Sequence, residues 1–223
     1  MTLAAAIIIS AKRRALVADV ILPAVRHVGF DEIVIVGDFW QGPGYRWLDV
    51  PTITGTTVDA LVKRDAAALA TTSDAIAYFC DDHQPDYDFA EQYRAVYAHL
   101  DDWDVLVPRR WTMRDSGDGH GHRLMVPLNM GAEPGLPSVA KPHEAVQAAA
   151  TIWAAGMPQA GYCAGHGGIF RRRVLQRFPW VTMPHNRLWD LYASQIHQRE
   201  GLRYRWTDDL TIFDVEPGAE PWK

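Results

Sequence analysis

Cysteine is scarce in this 223-residue chain, with Cys80 and Cys163 the whole complement. Two thiols cannot make the disulfide framework of a small secreted domain, so the usage points to a reducing compartment. No run approaches the ~20 apolar residues that cross a bilayer, and no transmembrane segment is expected. The opening "MTLAAAIIIS" has no basic stretch ahead of its apolar run, which argues for a first strand and against a signal peptide. Positive charge is not in excess either. The formal net charge is −5, so no global basic field favours nucleic acid or an anionic membrane. Internal repeats are missing. Together these absences describe a soluble, cytoplasmic domain.

What is present is a core-forming composition. Hydrophobic residues make up 48% of the chain, including nine tryptophans, which is enough for one sizeable globular domain and excludes extensive disorder. "LAAAIII" (3–9) is a continuous apolar run of the kind found in a strand covered on both faces. Lys12, Arg13 and Arg14 follow, and then "ALVADVILPAVRHVG" has helical spacing, with Pro23 expected to kink or end it early and Gly29 to stop it. "EIVIVGD" (32–38) is a second buried strand, so the first 38 residues form a βαβ unit with a parallel pair. "DFWQGPGYRW" (38–47) reads as a loop, in which Trp40 and Trp47 are candidates to stack on a base or sugar or to pack in the core. Thr56 and Asp59 have capping-box spacing ahead of another helix, and Asp88 and Glu91 repeat it. "AIAYF" (75–79) and "DVLVP" (104–108) are further strands. Residues 112–122, "TMRDSGDGHGH", have the glycine and polar content of a mobile loop. A helix is expected from about His143 to Ala155, and another in "RLWDLYASQIHQRE" ending at Gly201. The expected fold is a single α/β domain: a mostly parallel, Rossmann-type sheet flanked by helices, with an irregular C-terminal half.

In open parallel sheets, ligands bind beyond the carboxyl ends of the strands. Ser10, Asp38 and the pair Asp81–Asp82 all fall at such ends. Magnesium and manganese take hard oxygen ligands, commonly one or two carboxylates plus substrate phosphates. A strand-end carboxylate pair suits a pyrophosphate held through such an ion, although the same tripeptide without context is a solvated acidic turn more often than a site.

The stretch "LVKRDAAALATTSDAIAYFCDDHQPDYDF", after strand–helix–strand, resembles the nucleotide-binding half of GT-A glycosyltransferases. In that family a helix with a basic residue and a small-residue run precedes an apolar strand, a D-x-D-type metal motif, a proline and a helix. The resemblance covers roughly residues 3–108 and extends more loosely to "CAGHGGIFRRRVLQRFPW" and "LWDLYASQIHQREG". It implies a nucleotide-sugar-binding half, 1–108, and an acceptor-side half, 109–223. It also implies a nucleoside-diphosphate sugar as donor, a UDP-sugar favoured, and Mn²⁺ or Mg²⁺ as cofactor. Two registers are open. A motif ending at Asp82 begins on Cys80, which is not a carboxylate; one beginning at Asp81 ends on His83, the D-x-H variant, and this second register is favoured because histidine can ligate manganese. The implied metal set is thus Asp81, Asp82 and His83. Ser10, Lys12 and Asp38 would line the nucleobase pocket, and Lys63 or Arg64 would approach the ribose or phosphates. His166, Gly167, Gly168 and Trp189 would face the sugar or acceptor, and Asp190 would be the acceptor's general base.

Each has a plainer use. Asp190 suits a helix N-terminus electrostatically, "GHGG" suits a tight turn, and Arg171–Arg173 suit a solvated helix face. The acceptor is not specified by the residues: a small molecule, glycan, protein or modified nucleic-acid base fits, the last through Arg109, Arg110 and Arg171–Arg173. A nucleotidyltransferase is the nearest alternative, disfavoured because "SAKRRALVADV" has bases but no glycine-rich phosphate loop. A non-catalytic nucleotide- or sugar-binding module is the other, suggested by Cys80 at a carboxylate position.

Overall fold

A computed structural model of the chain describes residues 1–9, 13–38, 45–55, 57–115, 123–129, 168–183 and 189–215. The expected helix at 143–155 lies outside them, as do Ser10, Lys12, Trp40, Thr56, Cys163, His166 and Gly167.

Among the described residues, nine strands form one sheet: β1 Leu3–Ile9, β2 Glu32–Gly37, β3 Arg46–Asp49, β4 Ala75–Cys80, β5 His83–Pro85, β6 Val105–Asp115, β7 Arg123–Asn129, β8 Ile169–Arg171 and β9 Tyr204–Asp214. Their order is β3-β2-β1-β4-β8-β6-β9-β5, with β7 added on β6. The first half is parallel throughout, β1 pairing with β2 and β4, and β2 with β3. Beyond β4 the sheet is mixed. β8 runs antiparallel to both β4 and β6, while β9 runs parallel to β6 across a register shift at Pro108/Arg109. The chain therefore steps from β1 outward to β2 and β3, then returns to place β4 on β1's other side. That reversal makes the carboxyl ends of β1 and β4 the switch point of the sheet, where ligands of open α/β folds bind.

The apolar runs follow from two-sided burial. Leu3, Ala5, Ile7 and Ile9 enter one core, with the first helix and Phe79, Phe89 and Tyr93. Ala4, Ala6 and Ile8 enter the other, with Leu61, Tyr78, Phe170 and Trp180. Trp180 sits edge-on to Phe170, Tyr78 and Trp189, with ring centroids 5.0–6.1 Å apart, a geometry that adds to plain area burial.

The first helix, α1, begins at Arg14–Leu16, widens to a π turn at Val17–Ile21 and continues as Leu22–Val28. Pro23 does not end it. The proline falls in the first turn after the π segment, where a missing N–H costs least, and the helix closes at Gly29 with φ 76. α2 spans Thr57–Ala70. Asp59 reaches back from its first turn to accept the N–H groups of Ile53, Thr54 and Gly55. Next, α3 is Phe89–Gln92 extended by a π turn Tyr93–Tyr97. Asp88 makes no capping hydrogen bond there, so the second capping box is not formed. α4 is Arg172–Arg177 and α5 is Trp189–Arg199. Residues 112–115, expected in a loop, belong to β6, and Trp47 lies on β3 with its indole N–H donated to the Gly37 carbonyl at 3.1 Å.

Candidate functional site

The sheet brings the ends of three parallel strands side by side: Ile9 lies opposite Gly37, and Ile8 opposite Cys80. Gly37 has φ 148, and a Cβ there would stand 2.3 Å from the Ile9 carbonyl oxygen, so only glycine allows β2 to close on β1 at this edge. Immediately beyond β4 the chain turns through Asp81 and Asp82 into β5. The turn is pinned from the far end of the sequence: β5 pairs antiparallel with β9, and the Val215 N–H donates to the Asp82 carbonyl at 2.8 Å.

Three groups converge in that turn. Ligand atoms of Cys80, Asp82 and His83 all lie within 4.8 Å of one another. His83 is buried, and its Nδ1 accepts the Cys80 backbone N–H at 3.4 Å. Its Nε2 faces Asp82 Oδ1 at 3.6 Å and Asp214 Oδ1 at 3.4 Å. Asp214 is in turn ion-paired with Arg110. Asp81 stands beside this group; its Oδ1 accepts from Arg13 Nη1 at 3.1 Å, and the same nitrogen serves Asp82 Oδ2. Burial pushes the Asp82 carboxyl up and Asp81 and Asp214 push with it, while Arg13 pulls it down. Burial likewise drives the Cys80 thiol up to about 12, so it is neutral at pH 7. A neutral thiol is a poor partner for a hard cation. Two carboxylates and an imidazole at a strand end are, by contrast, a fitting donor set for manganese or magnesium.

The other expected site residues are distributed differently. Asp38 is buried at the end of β2, its Oδ1 accepting the Thr52 N–H and its Oδ2 the Thr52 hydroxyl, both at 2.6 Å. Lys63 Nζ adds a bond to Oδ2 at 3.1 Å, and also donates to the Ile9 carbonyl at 3.0 Å. Burial raises the Asp38 carboxyl, but the bonds from Thr52 and Lys63 outweigh it and hold it at about 2. This network ties the ends of β1 and β2 to α2. Arg64 is fully buried, with its guanidinium 4.8 Å from the Trp189 ring and 5.8 Å from the Tyr78 ring. Burial lowers its pKa, while Cys80, Tyr78 and Asp190 favour its charged form. It thus links the end of β4 to the first turn of α5, where Trp189 is buried and Asp190 half-buried. Gly168 is buried at the start of β8, its carbonyl accepting the Tyr78 N–H at 3.2 Å.

The arginines noted in the sequence are engaged within the protein. Arg171 lies over Trp103 at 4.5 Å, Arg173 pairs with Asp104 at 2.6 Å, and Arg109 and Arg110 pair with Asp208 and Asp214. Three participants escaped the sequence reading: Arg13, Thr52 and Asp214. Arg13 carried a signal, being a base just past the first strand; Asp214 carried none while β9 was unread.

No protein-family model matches the chain. No curated protein matches it either. Solved structures do. The crystal structure of GalNAc-T7 with UDP, GalNAc and Mn²⁺ superposes with a TM-score of 0.60 at 12% identity, over 99% of this chain and 45% of that one. S. aureus TarS 1–349 superposes with a TM-score of 0.55 at 14% identity, over 97% of this chain and 61% of that one. The chain therefore spans less than two thirds of the length of either. Both are GT-A glycosyltransferases, and the fold of this chain is GT-A-like.

Proposed function

We propose that the chain is a metal-dependent glycosyltransferase that takes a sugar from a nucleoside-diphosphate donor, with a UDP-sugar favoured. The observation that carries this reading is the turn after β4: Asp82 and His83 gathered with Cys80 at the carboxyl edge of a GT-A-like sheet, with Asp81 joined to Asp82 through Arg13. In this reading residues 1–108 bind the nucleotide sugar and 109–223 form the acceptor side, in the cytoplasm. GalNAc-T7, with UDP and Mn²⁺ in its crystals, supports the donor and ion classes by analogy.

Asp81, Asp82 and His83 would hold Mn²⁺ or Mg²⁺. An ion held there would supply positive charge for the departing diphosphate. The chain supplies the rest. Ser10, Lys12 and Asp38 would line the nucleoside pocket, with Asp38 braced by Thr52 and Lys63. Asp190 takes the acceptor hydroxyl's proton as that oxygen bonds to the anomeric carbon and the sugar–phosphate bond breaks. Arg64, lying under Trp189 and attracted to Asp190, sets the position of that carboxylate. His166, Gly167, Gly168 and Trp189 would serve the sugar and acceptor side; a modified nucleic-acid base is one acceptor to test.

Thermal unfolding with UDP, GDP, CDP and dTDP, each with and without Mn²⁺, tests the reading. Ligand at ~100 times its dissociation constant stabilises by about 2.7 kcal/mol, a rise on the order of 5–10 °C here. A metal-dependent rise with one nucleotide, lost in Asp81→Ala, is expected. No rise with any nucleotide refutes the reading, and metal-dependent hydrolysis of a sugar nucleotide excludes a non-catalytic module.

A further inference from the structure

The candidate donor site already holds a cation, the guanidinium of Arg13. One of its nitrogens donates to both Asp81 and Asp82, whose carboxylates follow each other directly in the turn after β4. Among the described residues these two acids are its hydrogen-bond partners. The pair also differs in kind from the other ion pairs at this edge. Lys63 and Asp38 are locked inside the protein, with side-chain exposures of 4% and 8%. Arg110 and Asp214 are covered to a similar degree as one another, 21% and 18% exposed. The Arg13 side chain is 45% exposed while Asp81 beneath it is at 10%. Asp82 is 26% exposed, so both acids are more covered than the arginine that bonds them.

Arg13 bonds Asp81 Oδ1 and Asp82 Oδ2 while Asp82 Oδ1 faces His83, so a divalent ion seated between Asp82 and His83 would share that carboxylate with the guanidinium. Two cations on one carboxylate repel, and each weakens the other's hold. Without either, Asp81 and Asp82 would be left beside Asp214, whose own charge is met by Arg110. We propose that Arg13 is a displaceable counter-ion of the Asp81–Asp82 pair: it occupies the acids while the site is empty, and on release it turns to the donor's diphosphate. This rests on the metal-dependent reading above. Arg13 immediately precedes α1 and reaches the acids at the carboxyl end of β4, so the same stem can turn to an anion held beside them. Its bidentate geometry suits phosphate oxygens as well as carboxylates.

The consequence is coupling. Metal alone must bind against the guanidinium's charge, or release a guanidinium that then has no anion to receive it. Metal arriving with a diphosphate gives the guanidinium a new partner. Each ligand therefore tightens the other, by the same factor.

The test counts free Mn²⁺ by electron paramagnetic resonance, with no turnover involved, on the wild-type chain, Arg13→Gln and Arg13→Lys, each with and without UDP. In Arg13→Gln, Mn²⁺ alone binds about two- to fivefold tighter, the change expected from deleting one competing, partly exposed ion pair, and the tightening by UDP shrinks. Arg13→Lys falls between the two. If Arg13→Gln binds Mn²⁺ no more tightly than the wild type, the counter-ion proposal is wrong while the metal-dependent reading stands. If none of the three proteins takes up millimolar Mn²⁺ even with UDP, both fail. Melting curves of the three proteins without ligand confirm that the variants are folded before either result is interpreted.

Discussion

Replacing Asp38 by asparagine removes one charge from a fully bonded, buried network and leaves its shape almost unchanged. In the wild type the carboxyl sits at about 2 against an ordinary 3.8. At 1.36 kcal/mol per pKa unit that difference is worth about 2 kcal/mol at neutral pH. The folded-state value is the lower one, so the contribution is whole above roughly pH 5 and disappears as pH falls through about 2. Half of it, about 1 kcal/mol, is gone between pH 5 and pH 3. Asp38→Asn lacks that dependence. It starts about 3 kcal/mol less stable, because Lys63 is left buried without its anion, and the gap to wild type then narrows by about 1 kcal/mol between pH 5 and pH 3. Urea unfolding followed by tryptophan fluorescence at the two pH values measures it. Other acids with lowered values, Asp59 and Asp104 among them, are common to both proteins and cancel. A gap that stays constant across this range refutes the Thr52–Asp38–Lys63 network as described.

Two further predictions follow from the same edge of the sheet. Gly37→Ala drives a Cβ to 2.3 Å from the Ile9 carbonyl, on a residue whose φ of 148 already disfavours a side chain; a loss of about 2 kcal/mol or more is expected in urea unfolding, and an unchanged midpoint would show that β1 and β2 are not this close. Asp190→Asn should lower kcat by about a hundredfold to ten-thousandfold with any acceptor that supports transfer. It should leave the UDP–Mn²⁺ melting shift intact, and a kcat within about tenfold of wild type would remove Asp190 as the base.

The first half of the fold was legible because double-sided burial writes itself as uninterrupted apolar runs. β1, β2 and β4 are such runs, and the turn into two aspartates marks where β4 meets solvent. β9 had no comparable trace. Its eleven residues alternate irregularly between half-buried, exposed and buried positions because its register with β6 shifts at Pro108/Arg109, which breaks any period. β5 is three residues ending in proline, too short for a pattern. The basic run Arg171–Arg173 looks solvated in sequence, yet Arg171 is buried against Trp103, since only tertiary packing says which way a guanidinium turns. The role of Arg13 depends on the β1–β4 register, a relation between segments 68 residues apart, and Asp214 is more distant still.

β9 has a consequence for how the molecule comes into being. The turn that carries Asp81, Asp82 and His83 is fastened by Asp214 and Val215, which leave the ribosome more than a hundred residues later. Loop closure over such a separation is slow. The early strands can pair as soon as β4 emerges, but His83 has no β-strand partner until β9 arrives. A nascent chain released before residue 204 would carry the acids without the clasp that arranges them, so the arrangement of Asp81, Asp82 and His83 should appear late in synthesis and all at once.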